Sequence, residues 1–333
     1  MSTPEFGLVC ITHSTAVRFR TLTLTRYKHF PVSARVRILD ELYRHNLRVL
    51  VRAIEYCAQH GFGLYRIPSS LFPLADLPDG VGLSILEEFR KDLSWVGRHA
   101  LKHGVRLVMH PDQYVALNSL SETVIENSVQ VLEHLARLMD WMGLARSPWA
   151  ALNIHGGKAG RLEQLVDTIT HLPPGVRSRL TLENDERTYG AEDILEVCQR
   201  TGVPMVFDLH HHLVREHLES FEDPSLGQYL EAAGRTWPHP EWQIVHLSNG
   251  RSAPHDPAHH DLIHTVPSCL RGVPWLEVEA KQKEYAIAHL RAQWDRVFAA
   301  YLPVPPPHPQ PEPPAVLPLE GPPLYSGGRN ALD

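Results

Sequence analysis

Cysteine is scarce in this chain of 333 residues. The four, Cys10, Cys57, Cys198 and Cys269, are too few and too scattered for a disulfide framework or a CxxC zinc site, and they read as core thiols in a reducing cytoplasm. Long apolar runs are missing too: the longest are about five or six residues, against the roughly 20 needed to cross a bilayer. No basic segment followed by an apolar stretch opens the chain, so no secretory signal is expected. Basic excess is also absent. With 32 Lys and Arg against 38 Asp and Glu, a net charge of -6, a uniformly basic DNA-coating protein is excluded. A DNA-binding protein whose bound divalent cations reverse the sign locally is not.

What the chain does have is 43% hydrophobic residues, enough for a large core, and 22 histidines. Short β-branched or Leu-rich runs recur, each stopping at a histidine or an acid: 105-VRLVMH-110, 150-AALNIH-155, 180-LTLE-183, 203-VPMVFD-208, 243-QIVHLS-248 and 275-WLEVEA-280, after two earlier runs, 6-FGLVCIT-12 and 62-FGLYRI-67. Helical spacing fills the intervals at about 34–60, 83–104, 121–143, 162–171, 191–201, a His- and Glu-rich region to about 233, and 284–300, several of them closed by glycine. Residues 13–34 read as a loop. Eight strands alternating with helices predict an α/β fold, a TIM (β/α)8 barrel with a metal site at the C-terminal ends of its strands. Residues 1–302 form the barrel domain on this reading, and 303–333, rich in proline, form a tail that cannot continue a helix.

In such a barrel all strand ends open on one face. His110, His155, Glu183, Asp208, His211, His246 and Glu279 are therefore expected to converge there on divalent metal ions. A carboxylate at the end of an apolar strand, as at Glu183, must be paired, protonated or bound to a cation; an ion pair with an arginine is the alternative. The Asp208-x-x-His211 spacing suits a strand end turning into a loop, although His210, His211 and His212 are consecutive and spacing does not choose among them. Pro111 after His110 holds an extended backbone, and Gly156 and Gly157 after His155 let a ligand approach the main chain. Mixed imidazole and carboxylate ligation suits Mn²⁺, Fe²⁺ or Zn²⁺ better than Ca²⁺.

The motifs YRIPSSLFP, MHPDQY, NIHGGK, LENDER, VFDLHH, VHLSNG and EVEAKQKE, in this order, resemble the ultraviolet damage endonuclease family, a relative of the apurinic endonucleases of the endonuclease IV type. The resemblance covers about residues 6–290. It implies a cytoplasmic, nucleoid-associated DNA repair enzyme, a monomer with no membrane partner. Such an enzyme nicks double-stranded DNA 5′ of cyclobutane pyrimidine dimers and (6-4) photoproducts without ATP, leaving 3′-hydroxyl and 5′-phosphate ends. It further implies up to three metal ions, Mn²⁺ first and Zn²⁺ or Mg²⁺ as alternatives, with His110, His155 and Glu183 as the catalytic set. One metal would be held by those three residues, a second by Glu183, Asp208, His246 and Glu279, and a third by His211 with His259, or with His260 in its place. Gln113 and Tyr114 match the family's probe, which fills the duplex where damaged bases are extruded. Lys158 and Arg187, together with Arg161, Lys281 and Lys283, are candidates for DNA phosphate contacts.

Two positions depart from the pattern: Ile244 stands where some members carry a modified lysine, and Leu8 where certain members place a tyrosine. The rival readings are an apurinic endonuclease on the same scaffold, a metal-dependent sugar isomerase, and a binding protein without chemistry.

Overall fold

The computed structural model describes residues 3–111 and 114–299; the proline-rich tail expected at 303–333 and the Gln113 half of the expected probe lie outside the described residues. Eight parallel strands close into a barrel in chain order: β1 (Glu5–Val9), β2 (Leu64–Pro68), β3 (Arg106–His110), β4 (Leu152–His155), β5 (Leu180–Glu183), β6 (Met205–Asp208), β7 (Ile244–Leu247) and β8 (Trp275–Val278). Closure comes from β8 pairing with β1, Gly7 opposite Glu277. This is the TIM barrel read from the sequence, with the strands trimmed at their ends. β1, expected to run to Thr12, stops at Val9 because Cys10 turns to a φ of 62°, which no strand accommodates.

The helices around the barrel are α1 (Leu24–His29), α2 (Val32–His60), α3 (Val81–Glu88), α4 (Arg90–Lys102), α5 (Glu122–Trp141), α6 (Leu162–His171), α7 (Pro174–Arg177), α8 (Ala191–Thr201), α9 (Leu209–Arg215), α10 (Pro224–Gly234) and α11 (Glu284–Ala299). Two expectations need correction, and one expected helical region divides. The loop at 13–34 contains α1, started by the Thr23 hydroxyl, which accepts from the Arg26 N–H. The helix expected over 83–104 is two, because Phe89 leaves helical geometry (φ -85°, ψ 3°) with its ring buried and the Arg44 guanidinium carbon 4.7 Å from it. The His-rich region after β6 is also two helices, the second restarted by Pro224 behind the Asp223 cap.

Side chains alternate across each strand, and the barrel interior is layered. Leu64, Val108, Ala151, Val206 and Ile244 form an apolar layer with Trp237. Below it Arg106 is enclosed by indoles, its guanidinium carbon 4.4 Å from the Trp149 ring and 5.0 Å from that of Trp275. It donates to the carbonyls of Trp149, Trp242 and Pro148. Two residues further along each strand the inward side chain becomes polar: Arg66, His110, Asn153, Glu183, Asp208, His246 and Glu277. Ile244 thus belongs to the floor beneath the polar layer. Gly7 faces the same interior, and a Cβ there would lie 2.8 Å from Leu64 and 2.9 Å from Glu277.

Candidate metal centre

A cavity of ≈ 690 Å³ opens at the C-terminal ends of the strands, lined among others by Arg66, His110, His155, Glu183, His211 and His259. Glu183 ends β5, pointing inward at 1% exposure. Its Oε2 accepts from Asn153 at 2.6 Å and lies 3.0 Å from His110 Nε2; its Oε1 lies 3.0 Å from His246 Nδ1. Among the described residues its ion pairs are with histidines and none is with an arginine, so the arginine alternative raised by the sequence is not seen here. Two groups of potential ligand atoms, each within 4.8 Å of one another, share it: His110, His155 and Glu183, and Glu183, Asp208 and His246.

The imidazoles are oriented from behind. His110 Nδ1 donates to the Pro111 carbonyl (2.9 Å), His211 Nδ1 to that of Asn184 (2.9 Å), and His246 Nε2 to Glu277 Oε2 (2.6 Å). A backbone carbonyl can only accept, so Nδ1 of His110 and of His211 is fixed as N–H and Nε2 is presented to the site, the arrangement by which proteins hold histidine ligands; the His246 ring is oriented by Glu277 and by Arg66 Nη2, 2.9 Å from its Nε2. Asp208 caps α9, its Oδ1 accepting from the His211 N–H at 2.8 Å, while its Oδ2 is buried without a hydrogen-bond partner among the described residues; so is His155 Nδ1. Buried polar atoms left open in this way are what a bound cation would satisfy, and the donor set fits a divalent ion of intermediate hardness.

Electrostatics match this geometry. Burial by itself would push the Glu183 carboxyl up, but His246 and His155, with hydrogen bonds from His110 and His246, hold it well below the ordinary range. Burial would pull His211 down; Asp208 and Glu183 outweigh it and push it up to about 9. His246, likewise opposed by burial, is raised well above its usual value by Glu183 and Glu277. At His155 burial dominates and the pKa is lowered. Without cations, protons on His211 and His246 offset part of the acids' charge.

The consecutive histidines separate because a helix turns about 100° per residue. His211 faces the cavity. His210 bonds Ser248 (2.9 Å) and the Pro254 carbonyl (3.1 Å), and His212 bonds Ser225 (3.2 Å). His259 lines the cavity, its ring centroid 6.5 Å from that of His211 and its Nδ1 3.9 Å from Glu279. His260 instead accepts from the Leu262 N–H and packs edge-on against His264. Glu279 reaches the rim, but its Oε1 is held at 2.6 Å by Arg66, 3.5 Å from His246 Nδ1.

Among the candidate DNA-contacting residues, Tyr114 stands 64% exposed beyond His110. Arg187 lines the cavity mouth and pairs with Glu186 at 3.1 Å. Lys158 is exposed, its backbone pinned by Asn118 and Tyr189. That pinning adds a second reason for Gly157, which also lines the cavity: its φ is 81° and the Asn118 oxygen lies 2.5 Å from where a Cβ would be.

Several site residues were not singled out from sequence. Arg66, Asn153 and Glu277 sit mid-strand in runs that read as continuous core. Asn184 exchanges two 2.9 Å hydrogen bonds with the Asp208 backbone, extending the β5–β6 pairing by a side chain. A charged or amide residue inside an apolar run, one or two positions before a strand end, was the available signal.

The family model described as UV-endonuclease UvdE matches residues 4–299. A UV DNA damage endonuclease of Nostoc sp. is 50% identical over 291 residues, 87% of this chain and 90% of that protein. One of Deinococcus radiodurans is 48% identical over 289 residues, 86% and 95% of the two chains. Among solved structures, that of SacUVDE superposes with a TM-score of 0.72 at 25% identity, covering 87% of this chain and 99% of its own. A xylose isomerase domain protein from Planctomyces limnophilus, at TM-score 0.51 and 14% identity over 74% and 92% of the chains, shares the fold alone.

Proposed function

This chain belongs to the UvdE family of UV endonucleases, and on that premise we propose that it is a metal-dependent enzyme nicking duplex DNA 5′ of cyclobutane pyrimidine dimers and (6-4) photoproducts, without ATP, to leave 3′-hydroxyl and 5′-phosphate ends. The observation that carries the reading is the sharing of Glu183 by two ligand groups on the open face of the barrel. His110, His155 and Glu183 hold one divalent cation on this reading. Glu183, Asp208, His246 and Glu279 hold a second, and His211 with His259 a third. Manganese is the first choice, since imidazole and carboxylate donors without thiolate suit it.

Bound cations would supply positive charge to the phosphoryl oxygens and the leaving 3′ oxygen. The residues of the chain do the rest. Glu183 keeps both ligand groups at a common distance, held by Asn153. Asp208 offers its open Oδ2 to the second group while its other oxygen anchors the helix that carries His211. The site holds the acids Glu183, Asp208, Glu277 and Glu279, the last two paired with the Arg66 guanidinium. Divalent cations would offset this excess of acid and make the site complementary to a phosphodiester. Exposed Tyr114, with Gln113, is the wedge that enters the duplex beside the lesion, and Arg187 and Lys158 contact phosphates flanking it.

The test is to incubate manganese-loaded protein with a duplex oligonucleotide holding one thymine dimer and to map the cut. A single nick immediately 5′ of the dimer, with ends that a ligase can reseal, is expected. Equal or greater cutting of an abasic duplex, with none at the dimer, would overturn the reading in favour of an apurinic endonuclease. Sugar isomerisation without any salt-dependent DNA affinity would overturn both.

A further inference from the structure

Arg66 is the one buried cation in the polar layer that the reading above leaves without a task. It projects inward from β2 at 6% exposure, and its nitrogens face two acids and the His246 ring, Nη2 lying 2.9 Å from His246 Nε2. Nε reaches Glu277 Oε1 at 3.0 Å and Nη2 reaches Glu277 Oε2 at 2.8 Å, the parallel fork that a guanidinium makes with a carboxylate. Nη1 holds Glu279 Oε1 at 2.6 Å. Glu277 Oε2 also accepts from His246 Nε2 at 2.6 Å. We propose that Arg66 is a positioning residue for the second cation: it locks Glu277, Glu277 locks the His246 ring with Nδ1 toward Glu183, and Arg66 sets the reach of Glu279 toward the same position. The inference rests on the reading that Glu183, Asp208 and His246 hold a cation.

Two simpler roles fit less well. A phosphate-binding arginine needs free donors, and here three carboxylate oxygens occupy the fork and its tip, in a side chain 7% exposed. A purely stabilising ion pair is poorly motivated, because an apolar set of similar volume stabilises a core as well or better. The neighbouring strand has instead given up a side chain to make room: at Gly7 any Cβ would meet Glu277 and Leu64 at under 3 Å. Turning the His246 ring over would aim carbon at Glu277, stripping a buried carboxylate of an N–H it now receives. The chain of contacts from Arg66 through Glu277 to His246 therefore has one low-energy arrangement, and in it Nδ1 lies 3.0 Å from Glu183.

The experiment compares full-length wild type with R66K, R66M and E277Q, titrating manganese while recording electron paramagnetic resonance and thermal shift, then measuring kcat and KM on the dimer duplex. Wild type is expected to take up a first and a second ion, with the spin-coupled signature of a close pair. R66M and E277Q should bind the first ion as wild type does and the second roughly 10- to 100-fold more weakly, the usual loss when a group behind a ligand is removed. Their kcat should fall by a similar factor, KM for DNA should stay within about twofold, and excess manganese should restore part of the rate. R66K, lacking the fork, should recover little of the second-ion affinity. E277Q keeps the shape of the site, so the comparison survives if R66M does not fold.

Unchanged second-ion affinity in folded R66M and E277Q would refute the proposal, as would a raised KM with a salt slope reduced by about one, which would make Arg66 a phosphate contact. Wild type that binds no manganese pair would sink the metal reading itself, a different failure.

Discussion

Glu183→Gln removes one charge and almost no volume from the point where both ligand groups meet. In the metal-free protein the carboxylate receives contacts from Asn153 at 2.6 Å and from His110 and His246 at 3.0 Å each. Hydrogen bonds to a charged group contribute about 1.5–3 kcal/mol and neutral ones about 0.5–1.5. The imidazoles can shed a proton once the acid is gone, so the net loss should be about 1–3 kcal/mol. The sign with pH follows from the depressed carboxyl of Glu183: its contribution is present above the ordinary pKa of about 4.3 and fades as the solution is acidified through the lower folded value. The gap between wild type and variant should therefore close in acid. Manganese at about 100 times its Kd should add about 2.7 kcal/mol to the wild type, a rise in Tm of roughly 5–10 °C at 2–4 °C per kcal/mol. In the variant that rise should vanish, because neither group is complete. Nicking of a dimer-containing duplex should fall by at least about 10³, more than the loss of a single stabilising donor causes. Differential scanning fluorimetry with and without manganese, beside the nicking assay, decides the matter. A variant that keeps the full manganese-induced shift, or cuts within tenfold of wild type, would refute the shared-ligand arrangement.

Manganese uptake should release protons, because His211, pushed up to about 9, and His246, raised well above its usual value, carry protons near pH 7.5 that ligation displaces. Calorimetry in buffers of different ionisation heat should show this release and an affinity that falls from pH 8.5 to pH 6; uptake indifferent to pH would contradict it. By the same linkage the raised His211 value stabilises the metal-free fold fully below about pH 6.5, a contribution lost as pH climbs through about 9, so urea midpoints of the metal-free protein should decline over that interval. Tyr114→Ala should leave thermal stability and manganese uptake unchanged, since the ring is 64% exposed. It should raise KM for the dimer duplex about tenfold, in line with about 1–3 kcal/mol per stacked base; unchanged damage discrimination would remove it from the wedge. Arg179→Met should destabilise the barrel by about 1–3 kcal/mol in urea, as leaving buried acceptors unsatisfied does, Asp140 being 29% exposed and keeping Arg146. Its fully buried guanidinium bonds Asp140 at 2.8 Å and the carbonyls of Leu144, Ala145 and Gly175; an unchanged midpoint would show those bonds to be dispensable.

Strand ends were legible in the sequence because the chemistry sits where an apolar run stops. His110, His155, Glu183, Asp208 and His246 each close or nearly close such a run, and a parallel barrel aims every such terminus at one rim. The eightfold alternation, and with it the fold, could be read for the same reason: short buried strands and amphipathic helices differ in length and period, both local properties of the chain. Tertiary structure decided what depends on neighbours distant in sequence. Arg66 and Glu277, 211 residues apart, are a pair only because β8 closes onto β1 beside β2, and no local pattern distinguishes an inward Arg66 from a core position. The choice of His211 over His210 and His212, and the turning of His260 away from the cavity beside His259, follow from helix phase and loop hydrogen bonds that identical residue types do not encode. Glu279 completes this contrast: its chain position predicts a place at the rim, while its distance to the guanidinium determines which partner it holds.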